Sequence, residues 1–207
     1  MARRLWLLGF VTVLALPQLA RAEAPPGFVR LRDRAEAVES LSAFLGRFVG
    51  TCTDLEERAT CLANARKARA ELTNKAFHVV LDSEATRMLK AGTFDPATRE
   101  YTFQMTPFFE GSGLALTNGA PSGQDSQGRP RIQIEPITVR LPLDQMPMDM
   151  ERHLRTMNVR IHLVFKPQGT WTLPSKSGNL EGVKAKFLAV RLTNARNGEE
   201  LGLKLYE

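Results

Sequence analysis

The spacing of apolar residues along the chain changes once, near Asn74, and this change limits the folds that the chain can adopt. From Leu31 to Leu72, apolar residues recur at helical spacing. After Asn74 they alternate with polar residues, as they do in strands that bury one face. The sequence therefore predicts two amphipathic helices followed by a sheet.

The second part of the chain contains several segments of this alternating kind. They are residues 75–82, 101–105, 131–135, 137–141 and 159–166, and residues 183–206 add two strands joined at Asn197-Gly198. Alternating strands favour antiparallel pairing. Around residues 147–157, Pro147 and the order of acidic and basic residues predict an inserted helix. We expect an α+β fold, with a disulfide-stapled helical hairpin followed by an antiparallel β-sheet or sandwich.

The first 22 residues have the three parts of an export signal. Arg3 and Arg4 precede the apolar run of residues 5–16, and Ala20 and Ala22 form a small-x-small cleavage pattern. No later segment approaches the roughly 20 apolar residues of a spanning helix. We therefore expect a periplasmic or secreted protein of a Gram-negative bacterium, with no transmembrane segment after cleavage.

The sequence predicts four regions in the order of the chain. Residues 1–22 are the signal peptide, and residues 23–30 are a disordered leader that contains an Ala-Pro-Pro-Gly stretch. Residues 31–73 form the helical hairpin. Residues 74–207 form the antiparallel β domain, with its helix near residues 147–157.

The only two cysteines, Cys52 and Cys61, lie between the predicted helices. Two thiols alone do not make a four-ligand zinc site, and their spacing is not that of a redox Cys-x-x-Cys motif. In an oxidising compartment, a lone pair of this kind favours a disulfide. One continuous helix would separate the two Cα atoms by about 13 Å, beyond the span of a disulfide, so we expect a turn between them.

Charge and motifs narrow the classes of function. The net charge is +6, and loss of Arg3, Arg4 and Arg21 with the signal halves it. Both signs are interspersed, which argues against nucleic-acid binding. The chain has no nucleophile elbow, H-E-x-x-H motif, phosphate loop or dinucleotide motif. We therefore expect no cofactor, and we favour a binding role over an enzymatic one.

The methionines of the inserted helix permit three interpretations. Met146, Met148 and Met150 can fill an irregular gap in the core. They can also line an adaptable surface for a partner. The Met-x-Met-x-Met run, with His153 nearby, resembles the methionine motifs of periplasmic copper-handling proteins and so implies a Cu(I) site.

The remaining candidates are isolated in the sequence. His78 and His162 lie in predicted strands, and with His153 they have no local metal-ligand spacing. Trp171 lies in a connection rich in Pro and Gly, where an indole can cover a core or contact a ligand.

The overall plan, an export signal, a cysteine-stapled helical segment and an antiparallel β domain, resembles uncharacterised small secreted proteins of Gram-negative bacteria. This resemblance implies a compartment and a class, and it carries no catalytic residue. We expect a non-enzymatic binding protein that engages an envelope protein or a small apolar ligand through Met146, Met148, Met150 and Trp171. The alternatives are an envelope copper binder and a hydrolase whose site is assembled from scattered residues.

Overall fold

The computed structural model describes residues 24–51, 57–82, 88–105, 108–109, 113–119, 121, 135–140, 146, 148–149, 152, 158–175 and 178–206. Its helices are α1 (Pro26–Arg32), α2 (Leu41–Val49) and α3 (Arg58–Leu72). Its strands are β1 (Glu36–Val38), β2 (Phe77–Leu81), β3 (Leu89–Asp95), β4 (Glu100–Met105), β5 (Phe108–Phe109), β6 (Leu114–Asn118), β7 (Glu135–Arg140), β8 (Val159–Ser175), β9 (Gly178–Asn194) and β10 (Glu200–Leu205).

A long antiparallel hairpin of β8 and β9, each 17 residues long, is the centre of the larger sheet. The strand order is β1-β2-β8-β9-β6-β5, and β10 also pairs with β9. The N-terminal half of β9 pairs with β6 and its C-terminal half pairs with β10. The β8–β9 register shifts at Val164/Phe165 and at Pro167/Gly169, and such bulges bend a strand.

The core lies on one face of this sheet. On β8, Ile161, Leu163 and Phe165 are 0% exposed on this face and alternate with residues of the opposite face. Helix α2 lays Phe44 on this face, with its ring centroid 4.9 Å from Phe77 and 5.4 Å from Phe165. The smaller sheet, in the order β3-β4-β7, completes the same core with Tyr101, Phe103, Met105 and Ile137.

Glycines with positive φ end helix α2 and form the predicted turn between β9 and β10. Helix α2 begins after Ser40, whose hydroxyl accepts a hydrogen bond from the Ala43 N–H at 3.2 Å. It ends at Gly50, which has a φ of 84°, a conformation that favours glycine. Gly198, with a φ of 74°, lies in the turn between β9 and β10.

The predicted fold class is wrong about the sheet. The structure has a mixed α/β arrangement in two sheets, and β1 pairs with β2, and β6 with β9, in parallel. The chain crosses from β1 to β2 through α2 and α3, a connection long enough to bring a strand back in the same direction. Alternating hydrophobicity reports which face is buried, and it does not report strand direction.

The predicted disordered leader and the start of the hairpin are also corrected. Helix α1 begins inside the predicted leader because Phe28 is buried to 0% exposure against the sheet. The first predicted helix instead contains the end of α1, then β1, and then α2, which begins at Leu41. Val38 fits the helical period, but it lies in β1 and pairs with Val79.

The predicted disulfide between Cys52 and Cys61 involves a residue, Cys52, that lies outside the described residues. Cys61 lies in the first turn of α3. The described contacts between α2 and α3 are close and apolar, since a Cβ atom on Gly50 would lie 2.5 Å from the Cβ atom of Ala65.

Two other predicted segments differ in their outcome. The prediction of a Pro/Gly-rich connection around Trp171 is wrong, because residues 169–175 continue β8 and pair with residues 178–184 of β9. Of the helix predicted near residues 147–157, the structure places Met148, Asp149 and Arg152 in a helix, and the other residues of that range lie outside the described part.

Candidate functional site

The candidate site lies on the outer face of the larger sheet, which we define as the face opposite the core. Alternation along β8 directs His162 and Val164 to this face, while Leu163 between them enters the core. On β9, Ala189 and Arg191 occupy the same face. Helix α1 lies against this half of the sheet and buries Phe28 there.

Four aromatic or cationic side chains, which we name the cap cluster, meet beneath α1: Phe28, His78, His162 and Arg191. The two imidazole rings are stacked, with centroids 5.7 Å apart and planes 5° from parallel. The Phe28 ring lies edge-on to both, at 6.0 Å from each centroid. The Cζ atom of Arg191 lies 5.6 Å from the centroid of the Phe28 ring, within cation–π range.

Burial and neighbouring cations keep both imidazoles neutral at neutral pH. Burial, followed by the charge of Arg32, lowers the pKa of His78 below its ordinary value of 6.5. Burial, then His78, Arg191 and Arg160, lower the pKa of His162 from 6.5 to about 4, against a smaller opposing effect of Asp82. A proton on either ring would add a positive charge close to Arg32, Arg160 or Arg191 in a partly buried site.

The hydrogen bonds of the cap cluster are incomplete. Arg191 is 7% exposed and its Nε–H donates to Glu200 at 3.0 Å, while its Nη2 atom has no hydrogen-bond partner among the described residues. His162 Nε2 lies 3.3 Å from the Thr193 hydroxyl, and in the described part of the chain the buried Nε2 atom of His78 has no partner. Unsatisfied buried polar atoms of this kind are uncommon and call for an explanation.

Beyond the cap cluster, the outer face carries three lysines, Lys166, Lys184 and Lys186, which we name the lysine platform. Lys184 and Lys186 alternate with the buried residues Val183, Ala185 and Phe187, which face the core. Lys166 is the direct cross-strand partner of Lys186. None of the ion pairs among described residues includes a platform lysine.

Trp171 forms a rigid neighbour of the platform on the same hairpin. It is 9% exposed and lies opposite Gly182 in the β8–β9 register. Its indole N–H donates to the Thr117 hydroxyl at 3.0 Å, and that hydroxyl donates to the Gly119 carbonyl at 2.7 Å. Trp171 therefore ties β8 to β6, and its ring is not an exposed contact surface.

Comparison with protein families gives a match over nearly the whole chain. The model of one family of unknown function matches residues 2–207. The chain belongs to this family, DUF6066. No curated protein and no solved structure matches the chain. Membership in DUF6066 confirms the expectation of an uncharacterised family and assigns no role to any residue, so the site is interpreted from its geometry.

In this DUF6066 chain, the sequence candidates fall in different places. His78 and His162 come together, whereas His153 and Met150 lie outside the described residues. Met146 and Met148 are each 61% exposed, so they do not fill a gap in the described core. The cap cluster and the lysine platform were not predicted, because each depends on cross-strand register; the alternation of Lys with apolar residues near Val183 was their only local signal.

One described cavity belongs to a different surface, between α2 and α3. This groove has a volume of about 470 Å³, and its lining includes Arg47, Lys67, Glu57 and Glu71, so it carries both signs of charge. Among the described residues, no group of three or more His, Cys, Asp or Glu side chains is placed to hold a metal ion. Nor does the described part contain a helix long and apolar enough to span a membrane.

Proposed function

We propose that the protein is a non-enzymatic binding protein that docks an acidic segment of a partner protein on the lysine platform. The export pattern of residues 1–22 supports a site of action in the periplasm or outside the cell. The observation that carries the proposal is the direct cross-strand placement of Lys166 against Lys186, with Lys184 two residues away on the same face.

This placement is unfavourable for folding alone. Side chains directly opposite on neighbouring strands have Cβ atoms about 4.5–5.5 Å apart, and like charges there destabilise the sheet. The described ion pairs provide no carboxylate that compensates for the repulsion. An anionic partner would neutralise the platform, and complementary charge gives both specificity and rapid association.

The geometry favours an extended acidic peptide over other anions. Alternate residues of a strand lie about 6.6–6.8 Å apart, so Lys184 and Lys186 match alternate carboxylates of an extended peptide. A membrane surface attracts each basic residue with only about 1 kcal/mol, and lipid-binding clusters usually contain about four to eight of them. The β8–β9 hairpin is also rigid, which preorganises the three charges.

Replacing the three platform lysines with Gln should weaken binding of a synthetic peptide of alternating Glu and Ser by about tenfold, which corresponds to about 1.4 kcal/mol. The loss of three favourable charge pairs, each worth about 0.2–1 kcal/mol, accounts for this size. Fluorescence anisotropy of the labelled peptide measures it. Affinity of the unchanged protein should fall steeply with added salt.

The matched control replaces Arg58, Arg66 and Lys67 with Gln, which removes the same charge from the exposed surface of α3. This variant should bind the peptide within about twofold of the unchanged protein, since α3 packs on the core side of the sheet through Ala68 and Leu72 and surface charges at a distance are largely screened. Equal losses in the two variants would show that net charge alone drives binding, and the proposal would be wrong. Tighter binding of duplex DNA than of the peptide would also overturn it.

A second candidate function is Cu(I) binding by the methionine run, favoured by the 61% exposure of both Met146 and Met148. Exposed thioether sulfur atoms are suitable ligands for Cu(I). If this function is correct, Met146→Leu with Met148→Leu abolishes the uptake of Cu(I) measured against a chromogenic chelator. Met88→Leu, at a position 4% exposed, is the control and should leave uptake unchanged. Absence of copper uptake by the unchanged protein would exclude this function.

A further inference from the structure

We propose that the cavity filled by Phe28 is a recognition pocket for an aromatic residue that lies beside a carboxylate in a partner segment, and that α1 is its displaceable occupant. The proposal uses the outer face at the cap cluster and needs none of the platform lysines. It is therefore a second binding site, independent of the one proposed above.

Helix α1 has few contacts that would make its docking permanent. It is 7 residues long, its N-cap is Pro25 without a side-chain hydrogen bond, and its first turn has no acidic residue. The ion pair of Arg32 is with the adjacent Asp33, within the same segment. Among the described contacts, Phe28 and its apolar neighbours Ala24, Leu31 and Ala35 hold the segment to the sheet. Short, weakly tied terminal elements belong to the least stable part of a fold.

The walls of the pocket suit an aromatic ring. Two imidazole rings, nearly perpendicular to the Phe28 ring, and one guanidinium lie 5.6–6.0 Å from its centroid. Val164 and Ala189, each 0% exposed, form the apolar floor. Planar aromatic and cationic groups contribute binding energy beyond the apolar area that they bury.

The resident helix leaves the polar part of the pocket unsatisfied. Arg191 is only 7% exposed, yet no described residue forms a hydrogen bond with its Nη2 atom. Glu200 occupies only the Nε–H of the same guanidinium. A carboxylate beside the incoming ring would accept the free N–H, and charge-assisted hydrogen bonds of this kind are the strongest in proteins. Phe28 of α1 supplies the ring of such a ligand without the carboxylate.

The test compares two capped synthetic peptides that differ by one group, one with Phe beside Asp and one with Phe beside Asn. Phe28→Ala empties the pocket, so it should bind the Asp peptide at least about tenfold more tightly than the unchanged protein does, because the pocket no longer has to be vacated. The Asn peptide should bind each protein several-fold more weakly than the Asp peptide. Isothermal titration calorimetry measures both affinities.

A second variant tests the same displacement of α1 if Phe28→Ala does not fold. Leu31 is one of the apolar side chains that pack α1 on the sheet, so Leu31→Ala loosens α1 and leaves the walls of the pocket intact. It should also tighten binding of the Asp peptide. The protein with all three platform lysines replaced should bind this peptide unchanged, which separates the pocket from the platform.

Three outcomes would contradict the proposal. Equal affinities for the Asp and Asn peptides would show that Arg191 does not recognise the ligand. An unchanged affinity in both Phe28→Ala and Leu31→Ala would show that α1 does not occupy the binding site. A dimer of the unchanged protein that Phe28→Ala converts to monomer would make a second copy of the chain the occupant of the pocket.

Discussion

Gly182→Ala should lower the free energy of unfolding by about 3 kcal/mol, the upper range of overpacking in a core. A Cβ atom at this position would overlap the Trp171 ring and would lie 2.5 Å from the Ala115 carbonyl oxygen. The indole cannot move away without losing its hydrogen bond to Thr117. The substitution therefore strains the junction of β8, β9 and β6 at the centre of the larger sheet.

Gly169→Ala is the matched control on the same hairpin. A Cβ atom there would meet nothing within 4 Å, so the expected change is within about 0.5 kcal/mol, as for most surface substitutions. Urea unfolding followed by Trp171 fluorescence measures both variants, since Trp6 precedes the expected cleavage site. Equal stability of the two variants would mean that Trp171 does not pack on Gly182.

Acidification should destabilise the fold between pH 6.5 and about pH 4 through the cap cluster. The pKa of His162 is lowered to about 4 in the folded protein, so the unfolded chain binds the proton more readily. The resulting stability is fully present above pH 6.5 and is lost as the pH falls through the folded pKa. For His162 the loss is about 2 kcal/mol, a value reduced from the full shift because the ring is partly exposed. The lowered pKa of His78 adds to it in the same direction.

His162→Gln identifies the source of this pH dependence. The variant lacks the titrating ring, so its unfolding free energy should fall less between pH 7 and pH 4.5 than that of the unchanged protein. The pKa of Asp95 is lowered from 3.8 by hydrogen bonds from the backbone of Ala97 and from Thr98, so its stabilising effect is lost mainly as the pH falls below 3.8, under the range compared here. Parallel pH profiles for the variant and the unchanged protein would show that the cap cluster does not control acid stability.

The sequence predicted those parts of the fold whose burial repeats locally. Alternation located β2, β4 and the first half of β8, because each buries one face on the core. The second half of β8 was mistaken for a connection because Pro167 and Gly169 interrupt the alternation, and both lie at a register shift of the hairpin. Helix α1 was not predicted because it is held mainly by one buried residue, Phe28. A single buried residue gives no repeating hydrophobic pattern in the sequence.

The candidate site was less predictable than the fold. His78 and His162 were each recognised as strand residues, but their stacking depends on the β2–β8 register, which alternation does not specify. The pairing of Lys166 with Lys186 depends in the same way on two bulges in β8–β9. The exposure of Met146 and Met148 argues against the interpretation that they fill the core, and the partner surface and the Cu(I) site both stay predictions.

The most direct test of the proposed function measures both peptide affinity and unfolding free energy on one variant, in which Lys166, Lys184 and Lys186 are all replaced by Gln. If the platform exists for an acidic partner, this variant loses about tenfold in affinity for the Glu-containing peptide. Its unfolding free energy stays equal or rises by a few tenths of a kcal/mol, because the like-charge repulsion is gone. A variant that binds the peptide as before, and unfolds more easily than the unchanged protein, would show that these lysines serve the fold and would contradict the proposed function.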